Sequence, residues 1–166
     1  MKKAYFACGC FWCITPVFEE NGVTRVTCGF CGGTEADPDY DSVKAQLTSH
    51  RETVELEYDE SRVSFGELCD VFLANVDPTD GGGQFIDRGR SYTLAVYYAS
   101  ESERAVAAKR IAEWEKANGE KAYIALEPLI KFYPAGEEHQ DFYKKEPESF
   151  AREMRESGRE ERFANR

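Results

Sequence analysis

The order of apolar patterns along the chain predicts an α+β fold, a two-layer ferredoxin-like plait with a mixed sheet. Two observations predict it: strand–helix–strand occurs twice in succession, and a further helix and a last strand follow. A third sets the scale. The 166 residues, with no internal repeat or low-complexity run, suit a single domain spanning residues 1–166 that can bury a real core, with about 146–166 as a charged C-terminal extension of it.

Lys3 to Ala7 is a short apolar run and reads as the first strand; it feeds a helix over Phe11 to Glu20, which Asn21-Gly22 stops. Pro16 lies close to the helix start, where a missing N–H costs least. Val23 to Cys28 is a second strand. It ends at Gly29-Phe30-Cys31-Gly32-Gly33, whose glycines call for a tight turn or a close backbone approach. A polar loop over Thr34 to Asp41 leads to a short helix near Ser42 to Ala45. Arg51 to Tyr58 alternates, with Val54, Leu56 and Tyr58 on one face of a half-buried third strand.

Ser64-Phe65-Gly66-Glu67 has capping-box spacing and opens a helix through Ala74. Asn75 to Tyr92 is a long loop rich in Gly and Asp, a length that often carries function. Thr93 to Tyr98 is a fourth strand. Ser100 with Glu103 caps a long helix ending at Asn118-Gly119, with Ala107, Ile111 and Trp114 on its buried stripe. Ile124 to Tyr133 holds a fifth strand, interrupted by Pro128 and so placed at an edge. Short helices are expected near Glu138 to Lys145 and Pro147 to Ser157.

The chemistry concentrates in Ala7-Cys8-Gly9-Cys10-Phe11-Trp12-Cys13, at the strand-to-helix junction. A cysteine at a helix N-terminus gains thiolate character, its pKa falling from ~8.5 toward ~7 or below. Gly9 permits the sharp turn, and two aromatic residues after Cys10 suit a pocket for a small apolar group. Cys10 is therefore read as a nucleophile. Its bland alternative is a small buried hydrophobe, which a lone cysteine after a strand usually is.

These residues resemble the A-type peptide methionine sulfoxide reductases, whose Gly-Cys-Phe-Trp signature Gly9 to Trp12 reproduce. The resemblance runs from about Phe6 to about Gly158. It implies the same plait and a thiol-dependent reduction of methionine S-sulfoxide, free or in proteins, through a sulfenic acid on Cys10. It makes Glu52, in Ser49-His50-Arg51-Glu52, the acid that protonates the departing oxygen, as the chemistry requires. Tyr40 and Tyr92 match the tyrosines that hydrogen-bond that oxygen. Phe11 and Trp12 hold the methyl group, and Asp87, in Asp87-Arg88-Gly89-Arg90-Ser91-Tyr92, helps hold the site. Departures are Thr15 where Glu is frequent, Phe30 and Cys31 in a Gly-Tyr-x-Gly-Gly turn, and Ser91 and Thr93 for Gln and Arg. His50 and His139 read as packed residues, neither with a partner at metal-ligand spacing.

Six cysteines stand at 8, 10, 13, 28, 31 and 69, none in the C-terminal tail where many relatives carry the resolving thiol. Cys13, three residues along the first turn, is the first choice of resolving partner and Cys31 the second, with thioredoxin or another thiol as reductant. The crowding of five cysteines between 8 and 31 indicates redox or metal chemistry in a reducing compartment, hence the cytoplasm. The rival class is a four-cysteine zinc-stapled binding module without catalysis, from Cys10-x-x-Cys13 and Cys28-x-x-Cys31. A chain this long has no need of a metal staple, and Phe11-Trp12 would sit awkwardly in a zinc knuckle. A thioredoxin-like dithiol enzyme lacks its cis-proline loop context here. No metal or other cofactor is implied, since electrons come from thiols.

The net charge of −10, from 21 Lys plus Arg against 31 Asp plus Glu, argues against a nucleic-acid partner. No apolar run approaches a membrane span. Gly9, Thr15 and Pro16 break the run after Met1-Lys2-Lys3, so no targeting segment is expected.

Overall fold

The computed structural model of the protein describes residues 1–164. In chain order the elements are β1 (Lys2–Cys8), α1 (Phe11–Glu20), β2 (Val23–Cys31), α2 (Tyr40–Lys44), β3 (Arg51–Tyr58), α3 (Phe65–Ala74), β4 (Gly83–Gln84), β5 (Asp87–Arg88), β6 (Leu94–Tyr98), α4 (Glu101–Asn118), β7 (Ile124–Pro128), β8 (Phe132–Pro134), α5 (Phe142–Lys145), α6 (Pro147–Glu156) and α7 (Arg159–Arg162). Single 3₁₀ turns stand at Arg90–Tyr92 and Glu137–His139. None of the described helices is long and apolar enough to cross a membrane.

The main sheet runs β7-β6-β1-β3-β2-β8, antiparallel at every pairing except β6 with β7. Its four central strands are the predicted plait. Period-2 alternation sends Phe6, Cys8, Cys28, Phe30, Val54, Leu56, Leu94 and Val96 to one face, where they pack with Phe11, Phe18, Leu68, Phe72 and Ala107 from the helices. Tyr5, Ala7, Cys31, Ala95 and Tyr97 face the other way into a smaller cluster.

Two expectations about the sheet change. The second strand runs on through Gly29-Phe30-Cys31, so these residues do not turn; they pair with β3 and β8. Gly29 answers a close approach, since a Cβ there would lie 2.3 Å from the Tyr133 carbonyl oxygen. The run from Ile124 to Tyr133 is two strands, β7 and β8, on opposite edges of the sheet. Pro128 ends β7 because it offers no N–H to a continuing ladder. Only residues 129–131 join the two edges, a link reaching ~14 Å at most. A flat sheet of that many strands would span ~24 Å. The sheet is therefore curled. Arg51, only 4% exposed, fills the inside of the curl, donating to Thr93 Oγ1 at 2.8 Å and the Tyr97 hydroxyl at 3.0 Å.

Helix boundaries follow their caps. Ser64 and Glu67 form the reciprocal capping box of α3, and Ser100 caps α4, which ends at left-handed Gly119. Within the loop over Asn75 to Tyr92 lies the two-residue hairpin of β4 and β5.

Candidate active site

Cys10 is the N-cap residue of α1, with φ −57° and ψ 116°, and Gly9 before it takes φ +83°. That left-handed turn lifts the chain out of β1 and sets the thiol at the helix start. A side chain at position 9 would also strike Gln84, whose Cβ lies 2.8 Å from a built Cβ. Gln84 is fully buried. It is fixed by the Asp77 N–H donating to its Oε1 at 2.8 Å and by its own Nε2 donating to the Asp77 carbonyl at 2.9 Å. The long loop is thus docked against the nucleophile turn.

The helix terminus does not lower the thiol pKa as expected. Cys10 makes no side-chain capping bond, and the first N–H groups of α1 go elsewhere: Phe11 to Glu52, Cys13 to the Cys10 carbonyl. Its hydrogen bond with Cys13 and its burial push the Cys10 thiol well above the ordinary range, with the Arg159 guanidinium pulling the other way.

Glu52 stands near the start of β3, 2% exposed, and its Oε1 accepts the Phe11 N–H at 3.1 Å. Burial first, then the adjacent Cys10, push its carboxyl well above the usual carboxylate range; the Phe11 hydrogen bond opposes this and loses. A carboxyl group beside a thiol that keeps its proton near neutrality can serve as an acid. No other carboxyl among the described residues is buried as deeply.

Around these two groups stands an aromatic wall. Trp12 is stacked on Phe142 with centroids 4.1 Å apart, Tyr40 on His139 at 4.2 Å, and Phe11 on Tyr40 at 6.2 Å. Trp12 Nε1 donates to His139 Nδ1 at 3.2 Å, which fixes the indole. His139 was expected only to pack; it belongs to this wall, and burial lowers its pKa so that the ring stays neutral and can accept. Its position on a 3₁₀ turn far along the chain left no local signal for this. His50 is a packed residue, accepting the Gly33 N–H at 3.1 Å.

Tyr92 is 7% exposed, and burial followed by Glu52 raises its hydroxyl pKa; Tyr40, half-buried, shifts the same way for the same two causes. Both hydroxyls are therefore neutral, and each feels the charge of the Glu52 carboxyl. The support around Tyr92 differs from the familiar pattern. Gln46 Nε2 donates to Ser91 Oγ at 2.6 Å and Gln46 Oε1 accepts the Ser91 N–H at 3.0 Å.

Asp87 lies at the site's edge and acts on both Cys10 and Glu52, raising each. Its direct partner is Arg159 Nη2 at 3.0 Å, on the first residue of α7. The segment read as a charged extension thus supplies a buried arginine to the site, 4% exposed. In a run of alternating charges nothing distinguishes Arg159 from its neighbours.

The cysteines divide between the faces. Cys8, Cys10 and Cys13 line one small cavity with Arg159, and Cys28, pushed up to about 12 by burial, lies under α1, with Thr15 Oγ1 3.4 Å from its sulfur. Cys31 points to the other face and donates to the Lys131 carbonyl at 3.3 Å. As a second choice of resolving partner it is misplaced, because residue alternation along β2 turns it away from Cys10. The same alternation prevents the four-cysteine zinc arrangement. Among the described residues the donor atoms that converge are those of Cys10, Cys13 and Glu153, within 4.8 Å of one another.

Comparison with known proteins agrees with this geometry. The family model "Peptide methionine sulfoxide reductase" matches residues 2–166. Peptide methionine sulfoxide reductase MsrA of Halalkalibacterium halodurans is 40% identical over 164 residues, covering 97% of this chain and 93% of that protein. The MsrA of Streptococcus mutans is 39% identical, covering 92% of each. Methionine sulfoxide reductase A of Corynebacterium diphtheriae superimposes with a TM-score of 0.78 at 30% identity, over 88% of this chain and 75% of that one. Reduced Mxr1 from Saccharomyces cerevisiae gives 0.84 at 28% identity, over 89% and 86%; that yeast protein has also been solved in complex with Trx2. With a family model matched over residues 2–166 and relatives about 40% identical over nearly the whole length, this chain belongs to the peptide methionine sulfoxide reductase family, whose members reduce methionine sulfoxide using thiols.

Proposed function

We propose that the chain reduces the S epimer of methionine sulfoxide, free or in proteins, with Cys10 as nucleophile and Glu52 as acid. The observation that carries this assignment is the buried Glu52 carboxyl, bonded to the Phe11 N–H one residue past Cys10 and pushed by burial well above the usual carboxylate range. The Cys10 thiolate attacks the sulfoxide sulfur while Glu52 gives its proton to the oxygen, and the Tyr40 and Tyr92 hydroxyls hold that oxygen. Phe11 and Trp12, the latter steadied by His139, enclose the methyl group, and Asp87 holds the edge of the site. Methionine leaves and Cys10 becomes a sulfenic acid. The thiol proton lost by Cys10 restores Glu52.

Cys13 then attacks the sulfenic sulfur, an S–S bond forms, and the hydroxyl leaves as water with a proton from Glu52. Two sulfurs on one helical turn are within reach of a disulfide. The Trx2 complex of the yeast relative supports a thioredoxin as the reductant. The six free cysteines suit a reducing compartment, and the cytoplasm is the proposed location. The test is turnover of the separate sulfoxide epimers with dithiothreitol by wild type and Cys10→Ser. Wild type should turn over the S epimer alone and the variant neither; turnover of neither by wild type overturns the assignment.

A further inference from the structure

Among the described residues, Arg159 is the one arginine of the C-terminal helices that is buried, and it lines the cavity at Cys10. Its guanidinium lies over the Phe85 ring, with Cζ 4.8 Å from the centroid. Nη2 is anchored on Asp87 Oδ2 at 3.0 Å. Nη1 has no hydrogen-bond partner among the described residues, with Glu153 Oε1 3.8 Å from it. A buried guanidinium N–H left empty is rare and calls for an acceptor. The cavity it shares with Cys10 and Cys13 is about 10 Å³, room for a water molecule but not for a methionine side chain. Asn75, whose Oδ1 is likewise unpartnered among the described residues, also lines the cavity, but the lining groups whose charge the guanidinium feels are the Cys13 and Cys10 sulfurs.

We propose that Arg159 is a positioning residue for the thiol chemistry: its Nη1 supports the thiolate of the Cys10–Cys13 pair, while Asp87 holds its other nitrogen in place. This rests on Cys10 being the reactive thiol. The groups that bear on the charge come from every wall: Cys13 from α1, Cys28 from β2, Tyr40 from α2, Glu52 from β3, Asp87 from β5, Tyr92 from the 3₁₀ turn, Glu153 from α6 and Arg159 from α7. Of these the guanidinium is the cation. Burial and Asp87 raise the Glu153 pKa, which weakens its competition for Nη1. The resting thiol is protonated by its hydrogen bond to Cys13 and by burial, so attack first requires loss of that proton, and a fixed cation makes that loss easier. The same support serves the second step. There the Cys13 thiolate attacks the Cys10 sulfenic sulfur, the S–O bond breaks, and hydroxide takes a proton to leave as water. A planar guanidinium can hold Asp87 and sulfur at once, which a lysine does less well.

The experiment follows the rate of Cys10 carboxamidomethylation by iodoacetamide against pH, read by mass spectrometry, in wild type, Arg159→Gln, Arg159→Met and Arg159→Lys. No sulfoxide is present, so the result is independent of the reductase assignment. Loss of the cation should raise the pH midpoint in the Gln and Met variants by about one unit, an about tenfold lower thiolate fraction near neutrality. The Lys variant should recover most of the shift. Opening of the site would hydrate the thiol and lower the midpoint, so a rise cannot come from loosened packing. Arg159→Met keeps a long unbranched side chain that can fill the space beside Phe85, and so guards against a change that is only unfolding. Midpoints within about 0.3 unit of wild type in folded Gln and Met variants would overturn the proposal. A shifted midpoint in a chain that reduces neither epimer would leave Arg159 its role and remove the reductase assignment.

Discussion

The Phe11 backbone N–H donates to Glu52 Oε1 across 3.1 Å, joining the first turn of α1 to the start of β3. One bond therefore places the Glu52 carboxyl beside the residue that follows Cys10. It also takes an N–H of the first turn, and the Cys10 thiol bonds to Cys13 instead.

Glu52→Gln keeps that bond and removes the proton donor. Turnover of the S epimer should fall by ~10²–10⁴ with little change in binding. Activity within a few-fold of wild type would show that another group protonates the oxygen. Stability should move the other way. In the unfolded chain the carboxyl ionises near ~4.3, whereas in the folded protein it holds its proton to a much higher pH. Its contribution is therefore fully present below the unfolded pKa and lost as pH rises toward the folded one. The Gln variant escapes that loss, so its Tm should exceed that of wild type at neutral pH and match it at acid pH. Thermal melts across that range check the sign.

His139→Phe keeps the stacked ring and removes the acceptor of the Trp12 N–H. Leaving the indole N–H without a partner should cost ~1–3 kcal/mol in urea unfolding above neutral pH. Because burial lowers the His139 pKa, its stabilising effect is present above the unfolded value of ~6.5 and fades as pH falls through the folded one. The gap between variant and wild type should narrow in acid. KM for the sulfoxide should rise more than kcat falls, as expected when a wall of the methyl pocket loosens.

Gly9→Ala forces an L side chain into φ +83° and against Gln84. The backbone strain alone should cost ~1–3 kcal/mol, and moving Gln84 should release its bonds to Asp77. Denaturant midpoint and activity should both drop. A wild-type midpoint would mean that the nucleophile turn does not need glycine.

A thiol count after one equivalent of sulfoxide without reductant tests recycling. Wild type should lose two thiols, Cys13→Ser one, and Cys31→Ser two, since Cys31 faces the second cluster. Loss of two thiols by Cys13→Ser would pass the resolving role to a neighbour such as Cys28, beneath α1.

Local pattern carried much of the fold into view. The four central strands, the capping box at Ser64 and the long helix closing at Gly119 each depend on neighbours within a few residues, and they lie where alternation and caps place them. Pro128 marked an edge, yet nothing near it says that the chain resumes on the opposite edge. That depends on how far the whole sheet curls. At the site, Gly9-Cys10-Phe11-Trp12 was legible because a nucleophile turn is a local device, and Glu52 because its segment resembles a known one.

What the sequence by itself determined is the chemistry of short range: which residues turn the chain at Cys10, which face of each strand is apolar, and which family the signature resembles. Tertiary structure decided the environment of those groups. It set the Trp12 indole on His139, 127 residues away, and Asp87 on Arg159, 72 residues away. It also raised the Cys10 and Glu52 pKa values where a helix terminus alone would have lowered the first. The physical reason is that burial and the Coulomb field are sums over everything nearby in space, and chain order says little about what that will be.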